Sequence, residues 1–123
     1  MKIKYTKEEF KSICESFKKA KNFFGGNEIL AKSLLSRINA IANASVILDI
    51  IVFPPMHFHN LYDKGKNKNL NGYYAIDVKT RKDKWRIILR PLNEDETVCE
   101  KNIDEVAKII KMIEIKEVSD HYE

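Results

Sequence analysis

The sequence predicts an α+β domain: a small antiparallel sheet with an N-terminal helical hairpin packed on one face. Two stretches carry that expectation. From Gly72 to Arg90 the apolar residues alternate, with Tyr74, Ile76 and Val78 on one face of a first strand and Trp85, Ile87 and Leu89 on one face of a second; this is the period of a sheet with one buried side. Upstream, Phe10, Ile13, Cys14, Phe17, Ala20 and Phe24, and then Ala31, Leu34, Leu35, Ile38, Ile41 and Ala42, recur at helical spacing on either side of Gly25-Gly26. Helices gathered ahead of strands fit an α+β layering better than an alternating α/β one.

Each element has a local cause. Lys2 to Tyr5 is a short strand candidate. Thr6-Lys7-Glu8-Glu9 has the form of a capping box, with Tyr5 and Phe10 at the staple positions. The glycine pair stops the first helix, and Asn27 is placed to cap the second. Ser45 to Phe53 is a dense apolar run ending at Pro54-Pro55; it extends the second helix or forms a buried crossover, and periodicity does not arbitrate. Met56 to Asn71 reads as loop, and Leu92 to Lys101 as an acidic irregular stretch. Ile103 to Ile110 reads as a short helix and Met112 to Val118 as a last strand. A pleat sends Arg86, Ile88 and Arg90 to the face opposite Ile87 and Leu89. That face is expected to stay open and to bear both arginines.

The 123 residues suit one domain, 1–123, with a single core. No apolar run approaches the ~18 residues of a membrane span, and Met1-Lys2-Ile3-Lys4-Tyr5 has no apolar h-region, so no secretory signal and a cytoplasmic location are expected. Cys14 and Cys99 lack metal or redox spacing and read as structural thiols. The formal charge of +4 is unevenly spread. Residues 56–92 carry nine Lys/Arg against three Asp/Glu, while residues 93–123 carry four against ten. A basic hairpin of this kind suits a polyanion such as nucleic acid, although many basic patches serve only solubility. Lys64, Lys66, Lys68, Arg81, Lys84 and Arg90 are the expected substrate-binding cations. His57-Phe58-His59 invites a metal reading, but no third ligand follows at suitable spacing, so no metal or cofactor is expected.

Taken together, His59-x-Leu61, the Lys-rich loop, Gly72-Tyr73-Tyr74-Ala75-Ile76, Trp85-Arg86-Ile87 and the closing Asp120-His121-Tyr122 resemble the HigB branch of the RelE-type toxins of bacterial toxin–antitoxin modules. The resemblance spans about residues 54–92 and 112–123, and it implies a RelE-like fold. It also implies an endoribonuclease that cuts mRNA, typically on the ribosome, and is silenced by a helix-turn-helix antitoxin. Cleavage would be metal-free, with the 2′-hydroxyl attacking the adjacent phosphate. Arg86 would then clamp the phosphate and one of Lys64, Lys66 and Lys68 would be the loop lysine. Asp120, His121, Tyr122 and His59 would supply acid–base or stacking groups. The tail reads Asp-His-Tyr where the family has Asp-Tyr-His, so which of His121 and Tyr122 faces substrate is open. The loop is longer than the family's, and residues 93–111 replace a brief turn. A gyrase-poisoning relative on the same fold, a non-catalytic RNA-binding or ribosome-associated module and a structural interaction protein are the competing readings. The fold alone does not choose among them.

Overall fold

A computed structural model describes residues 1–61 and 70–121. Within them the chain runs β1 (Lys2–Tyr5), α1 (Glu8–Glu15), α2 (Phe17–Phe23), α3 (Glu28–Asn43), α4 (Ile47–Ile51), β2 (His59–Asn60), β3 (Tyr74–Asp77), β4 (Arg86–Leu92), α5 (Ile103–Val106) and β5 (Met112–Ser119). The α+β expectation holds, and the sheet is an open one ordered β1-β5-β4-β3-β2. It is mixed and not purely antiparallel, because β1 lies parallel to β5 with Lys2 opposite Met112 and Tyr5 opposite Ile115. A parallel pair needs a long crossover, and here everything between the two strands supplies it.

The N-terminal helices depart from the sequence reading in two places. Thr6 does not cap α1. Its amide donates to the Ile115 carbonyl at 3.1 Å and its hydroxyl to the Lys116 carbonyl at 3.0 Å, so Thr6 prolongs β1 along β5. Lys7 takes the cap position without a side-chain hydrogen bond. The first helix is also broken at Ser16, whose backbone is extended (φ −129°, ψ 120°) and whose hydroxyl accepts from the Lys19 amide to start α2. The glycine stop and the Asn27 cap are as expected. Gly25 and Gly26 take φ +65° and +93°, and Asn27 Oδ1 accepts from the Leu30 amide at 3.0 Å. The apolar run after α3 forms a separate short helix, α4, that buries Ile47 and Ile50. The Asp49 carboxylate caps it from the Ser45 and Val46 amides, and Ile47 donates to the Ile110 carbonyl at 2.9 Å. Residues 93–111 thus have a structural use, for Val106, Ala107 and Ile110 join the same core.

That core gathers Ile13, Cys14, Ala20, Ala31, Leu34 and Ile41 of the helical region with Ile76, Ile87, Leu89, Ile113 and Ile115 of one sheet face. A register shift between Ile88 and Leu89 makes Lys116 an extra residue on β5. Ile113 and Ile115 point into the core before this bulge and Val118 after it, a parity that a regular strand would not allow. Within the core, the Cys14 thiol bonds the Tyr5 hydroxyl, and burial pushes the thiol pKa up to about 12. Both Cys14 and Cys99 are free and buried.

The opposite face is not open. Leu61, Leu70, Ala75 and Ile88 form a second cluster there, with Tyr73 packed against it. Short apolar residues on both sides of β3 and β4 left this cover legible only in part. Ile88→Ala should therefore lower the urea-denaturation stability by about 2–5 kcal/mol, as for a core residue. Ile29→Ala, at a side chain 62% exposed, should change it by no more than about 0.5 kcal/mol.

Candidate functional site

The hairpin places a polar group at its turn end. Asp77 closes β3 and Arg86 opens β4, and the two are cross-strand partners; Ser119 of β5 lies opposite Arg86. The row Asp77, Arg86, Ser119 therefore continues the face of Ala75 and Ile88. Arg86 is not presented to solvent on that face as the pleat alone suggests. It is 5% exposed, with Nε 3.3 Å from Asp77 Oδ1. Its Nη1 donates to the carbonyls of Asp83 (2.6 Å) and Trp85 (2.9 Å), and its Nη2 to that of Arg81 (3.1 Å). The planar fork matches the curl of the turn's carbonyls, so the guanidinium fills the turn from inside. Asp83 braces the same turn by accepting from the Thr80 and Trp85 amides. The Trp85 ring packs against Phe23 and Phe24 at centroid distances of 5.3 and 4.9 Å. Outside, Arg37 of α3 donates to the carbonyls of Asp77 and Lys79, each at 3.0 Å. The turn so held exposes Arg81, Lys82 and Lys84.

Two histidines complete the site. A 3-10 turn at Pro54–Met56 ends on His57 in the left-handed region, φ 49° and ψ 51°, a conformation that costs a non-glycine residue of the order of 1 kcal/mol or more. Its Nδ1 sits 3.0 Å from Asp77 Oδ1. The twist turns the His57 carbonyl toward His59, whose Nδ1 lies 2.7 Å away. A carbonyl only accepts, so His59 carries its proton on Nδ1 and leaves Nε2 as a bare lone pair when neutral. Burial pushes the His59 pKa below its ordinary 6.5; the His57 carbonyl opposes that shift, while the charges of His57 and Arg86 add to it. The two rings lie 4.4 Å apart, centroid to centroid.

The other expected residues are spread. Arg90, further along β4, donates from Nε to Glu114 Oε1 at 2.7 Å and lies over the Tyr73 ring at 5.0 Å. β5 ends at Ser119, one residue later than its apolar pattern suggests, and Ser119 is buried. Its hydroxyl accepts from the His121 amide at 3.1 Å. Asp120 and His121 leave the sheet there, 3.6 Å apart at Oδ1 and Nδ1, with the His121 side chain 86% exposed. The tail thus emerges beside the Arg86 row. Lys64, Lys66, Lys68 and Tyr122 lie outside the described residues. Sequence reasoning missed Asp77 altogether, and it set aside a metal reading of His57-Phe58-His59 for a loop or active-site histidine without giving His57 a place in the site. The available signal was a carboxylate on the polar side of a strand, directly facing an arginine in the hairpin register. Among the described residues no group of three or more His, Cys, Asp or Glu is arranged to hold a metal ion.

The chain matches no family model, no curated protein and no solved structure. Chemically, the site offers an imidazole nitrogen of fixed tautomer and an adjacent rigid basic turn. It can take a proton from a hydroxyl while cations hold an anion nearby.

Asp77→Ala should destabilise the chain by about 3–5 kcal/mol in urea denaturation, because it strands the buried Arg86 charge. His59 gives a second expectation, in pH. Its pKa is lower folded than unfolded, so the unfolded chain binds the proton first as pH falls. Its contribution is fully present above about pH 6.5 and is lost as pH falls from there through the lower, folded pKa. Urea midpoints measured across that window should fall less steeply in His59→Gln than in the parent chain.

Proposed function

We propose that this chain is a RelE-like toxin of the HigB type, a metal-independent endoribonuclease acting on messenger RNA at the ribosome and neutralised by a helix-turn-helix antitoxin. The observation that carries the catalytic part is the line Asp77–His57–His59, which leaves His59 Nε2 bare beside a rigid turn bearing Arg81, Lys82 and Lys84. His59 removes the proton of the 2′-hydroxyl, and that oxygen attacks the neighbouring phosphorus. The P–O5′ bond breaks and His121, emerging at the Arg86–Ser119 pair, returns a proton to the leaving O5′. The products are a 2′,3′-cyclic phosphate and a 5′-hydroxyl end. Arg81 and Lys84 supply charge to the phosphate, and Arg86 acts by shaping the turn that carries them. The ordered resemblance of residues 54–92 and 112–123 supports the toxin assignment and its partners.

The burial of Arg86 favours a second reading, a module that binds RNA without cutting it, since the arginine expected at the phosphate is occupied by Asp77 and three carbonyls. One experiment separates the two. The chain is incubated with single-stranded RNA, and with translating ribosomes, in the presence of a chelator, and the product ends are mapped. Cyclic-phosphate ends are expected, with the rate reduced about 10²–10⁴-fold in His59→Gln. The acid limb of the rate should fall below pH 6.5, the ordinary value for the imidazole. Salt-dependent binding with no cut in either setting would reject the nuclease and leave the binding module.

A further inference from the structure

A second feature lies on the far side of His59 from the basic turn. The segment that links β4 to α5 folds back over the β2–β3 end of the sheet and leaves a cleft of about 760 Å³. Asn60, Asn71, Arg90, Glu100, Asn102 and Asp104 line it, with Lys101 and Tyr74. That volume lies within the range of small-molecule sites.

The character of the lining selects the ligand. Arg90 and Lys101 are balanced by Glu100 and Asp104, and Arg90 already engages Glu114. The cleft is therefore polar without being cationic. A phosphate has little to gain there and meets two carboxylates. The fitting ligand is uncharged, flat and rich in donors and acceptors. Asn60 and Asn71 bring carboxamides that can do both. Asn102 Oδ1 is taken by the Asp104 amide at 2.9 Å, so its amino group is the part left to donate. The Tyr74 ring is backed by Phe58 in a stacked pair, 4.9 Å between centroids and 19° between planes. Position adds to chemistry. Asn60 pairs with Tyr74 and His59 with Ala75, so the cleft wall and the candidate base are consecutive residues of the edge strand β2, their side chains on opposite faces of the pleat.

We propose that this cleft is a nucleobase subsite, which receives the base beside the bond to be cut and favours a base with an exocyclic amine. The proposal rests on the RNA reading above. Glu100 and Asp104 only accept hydrogen bonds. Adenine, cytosine and guanine each offer them an amino group, whereas uracil turns carbonyl oxygens toward acceptors and keeps one ring N–H.

The test uses free nucleosides, which carry no phosphate for the basic turn to attract. Isotope-labelled chain is titrated with adenosine, cytidine, guanosine and uridine, and amide shifts are followed by NMR. Shifts should map to Asn60, Asn71 and Asn102, with uridine about ten-fold weaker than the others. The double variant Glu100→Gln, Asp104→Asn should fold, because both residues are exposed, and should lose the discrimination. Equal binding of uridine, shifts confined to Arg81–Lys84, or no shifts at millimolar nucleoside would each overturn the subsite. Cleavage of RNA with no nucleoside response removes the subsite and leaves the nuclease. Nucleoside binding in the expected pattern without cleavage does the reverse.

Discussion

The Asp77 carboxylate, 2% exposed, is the interaction on which the rest of the site depends. An isolated charge at such a depth is untenable unless it is paired and hydrogen-bonded. Arg86 and His57 meet that need through the same oxygen. From this one group the order spreads in two directions. Through Arg86 it gathers the carbonyls of Arg81, Asp83 and Trp85 into a defined turn. Through His57 it holds a left-handed backbone whose carbonyl sets the His59 tautomer. Among the described residues no buried side-chain nitrogen or oxygen lacks a partner, which is the condition for such a polar network to rigidify a core and not weaken it.

The sheet makes the placement possible by burying both of its faces near the centre. β4 is the middle strand, paired with β5 on one side and β3 on the other. Its odd residues Ile87 and Leu89 enter the main core, and Ile88 enters the smaller one. At the Arg86 end this central strand has no wet face, so Arg86 finds its partners inside, while Arg90 nearer its other end stays half-buried. The bulge at Lys116 then lets β5 keep its apolar residues inward while bringing Ser119 level with Arg86. Without the extra residue the tail would leave the sheet on the other side.

Much of this was legible in the residues, and most of the parts that were not share a cause. The hairpin, the last strand, the glycine stop and the Asn27 cap follow from local pattern, and the structure contains them. Thr6 carries an equally good local signal for a cap yet continues a strand, and the single helix expected from Phe10 to Phe24 is broken at Ser16. For Thr6 the deciding contact comes from far away in the chain, the Lys116 carbonyl, whereas the break at Ser16 is made by its own local cap on the Lys19 amide. Parallel pairing of β1 with β5 has the same long-range origin as the Thr6 contact. In the site, His59 and Arg86 stood out by type. Asp77 did not, because a lone carboxylate on a strand gains meaning only once the register sets it against Arg86 and the 3-10 turn delivers His57.

The bond between Tyr5 and Cys14 joins the first strand to the first helix. A thiol whose pKa stands near 12 holds almost no thiolate at neutral pH, and thiolate is the form that alkylating agents and oxidants attack. Its access is closed as well, at 2% exposure. Cys14 is thus a chemical reporter of opening: the rate at which a thiol reagent labels it measures how often strand and helix part, a clock built into the chain without any added probe.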